Sequence, residues 1–190
     1  NMQKTNGIKA SLKFCNFSQT NMDSSNFSEA DFYSANFPLA NLNNSIFSKA
    51  SIFGANLRKA IIKNASWDAV YAEGVDFSNA EMTTINLAGA NLADSLFKNV
   101  NLTEANLTVT NMDGTEITNS VLDMANLSSA VIKDANFANS SLKKVIMDRI
   151  YAKGVNFTSV DFSGATLTNS SIQFIHMGNA KTQEMIISNN

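Results

Sequence analysis

Residues 30–44 have the sequence ADFYS-ANFPL-ANLNN, which is three five-residue units in a row. Each unit has a large apolar residue, Phe or Leu, in its centre and an alanine two positions earlier. We call these the central residue and the small inward residue. The same spacing continues without an insertion from Leu12 to Met177. This pattern spans most of the chain and decides its fold.

A period of five suits neither an α-helix nor a flat strand. On a helix, each step of five residues advances about 140° around the axis, so the apolar side chains would spread over every side. On a flat strand, an odd step alternates faces, and half of these side chains would point at water. A chain that turns once per unit keeps them all inward. The period therefore predicts a solenoid, in which stacked coils bury one continuous core.

Two observations indicate four units, or twenty residues, per coil. The segments YAEGVDF at 71–77 and YAKGVNF at 151–157 lie 80 residues apart, which is a multiple of twenty. Most of the central phenylalanines also share one phase of a twenty-residue period: Phe17, Phe37, Phe77, Phe97, Phe137 and Phe157. We therefore predict an all-β solenoid of square cross-section with about eight to nine coils and a length of about 40 Å.

Many units share one motif. They include ANFPL at 35–39, ANLRK at 55–59, ANLAD at 90–94, ANLTV at 105–109 and ANFAN at 135–139. The chain resembles the pentapeptide-repeat proteins, whose motif is A-(D/N)-(L/F)-x-x. The resemblance implies a right-handed quadrilateral parallel β-helix with four short strands and four turns per coil. We expect a short lead-in at 1–9, the β-helix at 10–180, and a C-terminal cap or dimer tail at 181–190.

The sequence favours a cytoplasmic protein, and the family resemblance implies a bacterial one, with a secreted effector as the alternative. The formal net charge is -2. The chain has one cysteine, so no internal disulfide can form. No signal peptide and no run of 18 apolar residues is visible in the sequence. We expect no membrane contact and no direct binding of nucleic acid.

Reactive side chains are sparse. Cys15 takes a small inward position, where we expect a buried thiol, and the only histidine, His176, lies at the other end of the rod. A nucleophile without a nearby base and a histidine without partner ligands argue against catalytic and metal sites. We predict no enzymatic activity, no catalytic residue, no metal and no cofactor.

The asparagine that precedes many central residues recurs from Asn16 to Asn156. Where Ser or Thr follows the central residue, this creates N-x-S/T motifs, which we attribute to the repeat and not to glycosylation. We expect the asparagines to serve turn geometry and side-chain-to-backbone bonding between coils.

Two large central residues are each followed by an undersized one. The pairs are Trp67 with Ala72 and Met147 with Ala152. They predict local volume compensation in the core.

The candidate partner surface combines exposed aromatic, apolar and acidic residues. Tyr71 and Tyr151 point outward on one face but are separated by four coils, and Val131 lies one coil from Tyr151. Asp94 and Asp113 belong to the most acidic part of the same face. The preferred function is a rigid, non-catalytic scaffold for a protein partner that the sequence does not identify.

The alternative follows from the family resemblance, because Qnr-like relatives bind DNA gyrase and topoisomerase IV as DNA mimics and protect against quinolones. Duplex DNA carries about one negative charge per 1.7 Å, so a DNA mimic 40 Å long needs more than about twenty negative charges. The net charge of -2 and the absence of inserted loops weaken this alternative.

The tail contains Met185, Ile186 and Ile187, an apolar run that follows the last clear repeat. An uncovered end of a β-solenoid exposes strand edges that invite pairing. We therefore expect this run to cap the last coil or to form a homodimer contact at the C-terminal end. The related gyrase-binding proteins also dimerise through their C-terminal ends.

Overall fold

The chain winds into a right-handed quadrilateral parallel β-helix, as the repeat predicts. The structure is a computed structural model that describes residues 1–189. Parallel bridges join residues twenty positions apart, beginning with Asn6 to Asn26 and continuing to Asp161 and Lys181. No described residue forms a helix, and hence none forms a helix that could cross a membrane.

Most coils are held by single bridges, and longer strands form only near the C-terminus. The first three strands are β1 (Ile146–Asp148), β2 (Tyr151–Lys153) and β3 (Thr166–Thr168). The other two are β4 (Ser171–Gln173) and β5 (Ile186–Ser188). One sheet has the order β1-β3-β5 and the other pairs β2 with β4, all parallel and in a twenty-residue register.

A tight turn follows every central residue and produces the square cross-section. The second residue after each central position has a positive φ, between 51° and 62° for the non-glycine residues. In most units the carbonyl of the central residue accepts a bond from the N–H three residues later, as in Ala30 to Phe27 at 3.1 Å. A positive φ at the third residue of a four-residue turn is the type II requirement.

Backbone bonds connect the coils at each wall. The central Met22 N–H donates to the Asn41 carbonyl at 2.7 Å, and the Asn26 N–H donates to the Thr5 carbonyl at 2.9 Å. Each coil therefore forms its bonds with the coils directly before and after it. This is why a single repeat is not a stable unit.

The repeated asparagines stabilise both the turn and the stack. Asn106 Oδ1 accepts a bond from the Thr108 N–H at 3.2 Å within its own unit. Its Nδ2 donates to Asn86 Oδ1 at 2.9 Å in the preceding coil. The predicted turn role is confirmed. The bonds between coils join one side-chain amide to another, since the backbone groups of neighbouring coils are already bonded to each other, so this part of the prediction was wrong.

One continuous apolar core fills the solenoid from Phe17 to Leu167. Trp67 is fully buried, and its Nε1 donates to Ser45 Oγ at 3.1 Å, so the indole N–H keeps a partner in the core. Its neighbour Ala72 is also fully buried, and volume compensation between the two remains a prediction. The Trp67 ring centre lies 4.7 Å from that of Phe47.

The second predicted pair, Met147 and Ala152, lines an apolar pocket of about 140 Å³ at the C-terminal end of the core. The half-buried Ile172 and Met185 and the exposed Ile187 line it as well, so the pocket is open towards the end of the stack. Volume compensation at this pair remains a prediction.

The coil path continues past both sequence-based boundaries. In the expected lead-in, the Met2 N–H donates to Asn21 and the Gly7 N–H donates to Asn26, as repeat units do. In the expected tail, Lys181 bridges Asp161 and β5 pairs with β3. The motif fades at these ends, but the turn and backbone bonding need no particular side chain and persist.

Candidate functional site

One wall of the solenoid holds every residue of the predicted partner surface. We call it the aromatic wall and define it by nine central residues: Leu12, Phe32, Ile52, Ala72, Leu92, Met112, Ile132, Ala152 and Ile172. Three outward residues flank each central residue. The residue before it lies in the strand column, and the two after it lie in the first and second turn columns. Because each coil has twenty residues, these columns run along the rod.

Three exposed aromatic residues form a continuous ridge on the first coils of this wall. The rings of Tyr33 and Phe53 are parallel within 2°, with centres 5.4 Å apart. The ring of Phe14 meets Tyr33 edge-on at 5.5 Å. Their side chains are 68% (Phe14), 39% (Tyr33) and 40% (Phe53) exposed. We call these three residues the aromatic ridge; contiguous exposed apolar surface of this kind is typical of interaction sites.

The predicted tyrosines lie where the twenty-residue period placed them. Tyr71 is 59% exposed and lies one coil beyond Phe53, next to the ridge. Tyr151 is exposed but lies four coils away, about 19 Å along the rod. Val131 pairs directly with Tyr151 and is half-buried. The structure therefore separates Tyr71 from Tyr151 and associates Tyr71 with aromatic residues that the sequence reasoning did not include.

The ridge itself was missed because only the position before the central residue was searched for outward apolar side chains. Tyr33 and Phe53 lie in the first turn column and Phe14 in the second. A signal was present, since Tyr33 and Phe53 are exactly one coil apart in the sequence. Their parallel stacking depends on side-chain direction, which the repeat motif does not specify.

The acidic residues form the middle of the wall. The carboxylate of Asp94 lies over Gly114 in the next coil, and that of Asp134 lies over Gly154, so each occupies space that a side chain at the glycine would need. Asp113 Oδ1 is buried and has no hydrogen-bond partner among the described residues. Asp94 is exposed and Asp113 is half-buried.

Lysine charges partly neutralise this acidic segment. Lys133 Nζ lies 3.1 Å from Asp134 Oδ2. The hydrogen bond to Asp134, together with the charges of Asp134 and Asp113, raises the pKa of the Lys133 ammonium. The segment is therefore a mixed charged surface with an acidic excess.

Ion pairs also flank the aromatic ridge. Lys13 Nζ lies 2.9 Å from Asp31 Oδ2, and Lys9 Nζ lies 3.4 Å from Glu29 Oε2. Partial burial of the Asp31 carboxyl opposes ionisation, but the bonds from Lys13 and from the Tyr33 N–H outweigh it and lower its pKa. Asp31 therefore stays charged beside the ridge at neutral pH.

The reactive residues found in the sequence lie far from this surface and from one another. Cys15 is half-buried in the first coil, less enclosed than the sequence predicted, because the first coil covers its inward residues from one side only. His176 is exposed near the other end. Among residues 1–189, no three His, Cys, Asp or Glu side chains are grouped closely enough to hold a metal ion.

The C-terminal apolar run is only partly covered. Met185 is half-buried, whereas Ile186 and Ile187 in β5 are 58% and 61% exposed. Met185 and Ile187 also line the cavity beside Ala152. Their predicted role in a cap or a homodimer contact remains a prediction.

Parallel twenty-residue coils, a core filled by its own side chains and four flat walls define a quadrilateral β-solenoid. The chain belongs to the pentapeptide-repeat family. The family's repeat pattern matches residues 10–48, 50–87, 85–123, 110–149 and 135–173. No curated protein matches the chain in sequence.

Solved structures of the family share the fold. HetL, a protein involved in heterocyst differentiation regulation in the cyanobacterium Nostoc sp. strain PCC 7120, superimposes with a TM-score of 0.78 at 18% identity, over 98% of this chain and 88% of HetL. A trypsin-treated variant of QnrB1, a plasmid-mediated fluoroquinolone resistance protein, gives a TM-score of 0.52 at 16% identity, over 93% of this chain and 90% of that protein. At these identities the likeness concerns the fold alone.

Proposed function

We propose that this protein is a rigid, non-catalytic scaffold that binds a protein partner through its aromatic wall. The observation that carries this proposal is the exposed ridge of Phe14, Tyr33 and Phe53. Tyr and Phe side chains provide large contact areas at a low cost in side-chain entropy, and buried aromatic anchors dominate many interfaces. The stacked coils hold the ridge in place before a partner binds.

Photo-cross-linking from a defined position tests this proposal. A benzophenone amino acid replaces Phe53 on the ridge, and in a control chain it replaces Val109, which is 64% exposed on another wall. We expect discrete cross-linked protein products in cells of the native host from position 53 and none from position 109. Equal products from both positions, or none from position 53, would contradict the proposal.

Binding of DNA gyrase or topoisomerase IV is the alternative that the family suggests, supported by the fold likeness to QnrB1. The surface charges of this chain favour gyrase binding less than they favour the scaffold function. Several carboxylates are paired with cations, as in Lys63 to Glu81 at 2.9 Å and Arg58 to Asp76 at 3.0 Å. A surface that neutralises its own acids lacks the charge density of DNA.

A gyrase supercoiling assay, with and without a fluoroquinolone, separates these two functions. We expect no inhibition and no drug protection across a titration that reaches micromolar concentrations of the folded protein. Inhibition or protection would replace the scaffold proposal with the gyrase-binding one.

A further inference from the structure

We propose that the aromatic wall binds a second copy of this chain, with the two rods antiparallel and related by a two-fold axis that lies along the strand direction between the second and third coils. This inference rests on the proposed function, because it names the partner of the same wall. In this arrangement each column faces itself in reverse order, so the first coil lies opposite the fourth and the second opposite the third. The pairing can be deduced column by column.

The first turn column is complementary to its own reverse. Its first four members are Lys13, Tyr33, Phe53 and Glu73. The antiparallel register places Lys13 opposite Glu73 of the second copy and Tyr33 opposite Phe53 of the second copy. Opposite charges at both ends therefore flank an apolar centre, which is the usual arrangement of a protein interface.

The second turn column pairs a large side chain with an open space. Its members are Phe14, Ser34, Gly54 and Gly74. Phe14 is 68% exposed, and it faces Gly74 of the second copy, where nothing lies within 4 Å of the position a Cβ would take. Ser34 faces Gly54, and the only atom within 4 Å of the position a Gly54 Cβ would take is the Ser34 hydroxyl of the same chain, at 3.5 Å. The column thus offers shape complementarity without a clash.

The strand column follows the same pattern. Its members are Ser11, Asp31, Ser51 and Tyr71. The exposed Tyr71 faces the small Ser11 of the second copy, and Asp31 faces Ser51, whose hydroxyl can donate to the carboxylate. No two large side chains oppose each other in this column.

The edge of the wall adds a further pair of opposite charges. The residues at the corner that precedes the strand column are Lys9, Glu29, Lys49 and Ala69. Glu29 faces Lys49 of the second copy, and Lys9 faces Ala69. No like charges meet anywhere in this register.

Another register on the same wall is disfavoured by charge. An axis through the sixth coil would place Tyr71 opposite Tyr151, but it would also place Asp94 opposite Asp134 and Asp113 opposite itself. Facing like charges cost several kcal/mol at an interface. Negative charge in the middle of the wall therefore disfavours this second register relative to the one at the aromatic ridge.

The contact is small, because four coils extend about 19 Å along the rod. A patch of this length buries less surface than a standard interface, which covers about 800 Å² per partner. We therefore expect a reversible dimer with a Kd between about 1 μM and 1 mM. Two-fold symmetry makes each contact occur twice, which also doubles the effect of a substitution.

Sedimentation of charge-reversed variants tests the register. Lys13→Glu places Glu opposite Glu73 at both ends of the dimer, and Glu73→Lys places Lys opposite Lys13. We expect each variant alone to weaken dimerisation at least tenfold. An equimolar mixture of the two restores opposite charges at both ends, so it should dimerise as the native chain does, and so should the double variant K13E/E73K.

Restoration by mixing excludes misfolding, since neither chain is changed between the two measurements. Phe53→Ser should also weaken the dimer, whereas Val109→Ser on another wall is the matched control and should leave it unchanged. A native chain that stays monomeric at 1 mM, or a dimer that none of the ridge variants affects, would overturn the inference. A monomeric chain that still cross-links to another protein from position 53 would leave the proposed function standing.

Discussion

At the residue scale, the turn residue with a positive φ is the most strained position of each unit. The left-handed conformation costs an ordinary L-residue about 1–2 kcal/mol, yet most units have a non-glycine residue at this position. The hydrogen bonds of the turn and of the neighbouring coils hold the backbone in place despite this cost. At Gly114 the Asp94 carboxylate also occupies the space above the glycine, so a side chain at this position would have to displace that carboxylate.

Gly114→Ala should therefore destabilise the protein more than Gly74→Ala. Gly74 has a similar φ of +67° against +65°, but it has open space above it, so it reports the backbone cost alone. We expect Gly74→Ala to lower the free energy of unfolding by about 1–2 kcal/mol and Gly114→Ala to lower it by roughly 0.5–1.5 kcal/mol more, because the Asp94 side chain must leave its preferred rotamer, as measured by urea denaturation. In an Asp94→Ala background the excess should vanish. Equal costs in the native background would contradict this explanation.

Asp68 should contribute to loss of stability in acid. The Ser48 hydroxyl donates to its carboxylate at 2.6 Å and, with a second bond from Ser66, lowers its pKa below the usual 3.8. A depressed folded pKa gives stability that is present above pH 3.8 and lost as the pH falls through the folded value.

We expect the urea midpoint of Asp68→Asn to fall less than that of the native protein between about pH 5 and pH 2. Ser48→Ala removes the main cause of the shift and should flatten the pH profile in the same direction. A native and a D68N profile that remain parallel would show that Asp68 does not contribute.

At the element scale, each coil is stable only through its neighbours, so packing between coils decides local stability. Trp67 and Ala72 are fully buried and the indole has its partner in Ser45, whereas Met147 and Ala152 line an apolar pocket of about 140 Å³. Two pairs with the same sequence pattern thus pack differently.

Ala152→Leu should stabilise the protein by about 0.5–2 kcal/mol, because the added carbons enter the apolar cavity. The same change at Ala72 should lower the free energy of unfolding by about 1–3 kcal/mol, because Ala72 is fully buried in the middle of the packed core. Thermal unfolding of the two variants measures both signs. Destabilisation by A152L as large as that by A72L would show that the cavity cannot accept the side chain.

At the scale of the whole molecule, the rod is a stack without a second core, and its two ends are the least covered. Burial of the inward residues is nearly complete from Phe17 to Leu167 and declines before Phe17 and from Ile172 onwards. The strand β5 pairs with β3 along its full length and shields that edge. The tail is therefore part of the stack as well as a candidate contact.

Deletion of residues 178–190 removes β5 and the cavity-lining Met185 and Ile187, and should cause aggregation or a change of oligomeric state. The exposed edge of β3 could then pair with a strand of another chain, and the uncovered core could associate with other apolar surfaces. Light scattering coupled to size exclusion measures the mass. The E73K variant serves as the control, since it weakens the ridge contact and leaves the tail intact. An unchanged mass and solubility of the truncated chain would count against a covering role for the tail.

The sequence by itself determined the solenoid, the twenty-residue coil and the inward and outward positions. An uninterrupted hydrophobic period is a property of the chain that only one backbone path satisfies. It also placed Tyr71, Val131, Tyr151, Asp94 and Asp113 on one wall, since residues twenty apart must lie in adjacent coils.

Only the tertiary structure decided which outward side chains touch. The stacking of Tyr33 on Phe53, the position of Asp94 over Gly114 and the cavity at Ala152 depend on rotamers and on the filling of volume between coils. The coil also continued through both ends, where the motif had faded, because backbone hydrogen bonds and turns maintain the coil without the motif residues. The physical reason is that the period fixes whether a side chain points inward or outward. Which side chains touch depends on the size and rotamer of the neighbours that stacking brings together.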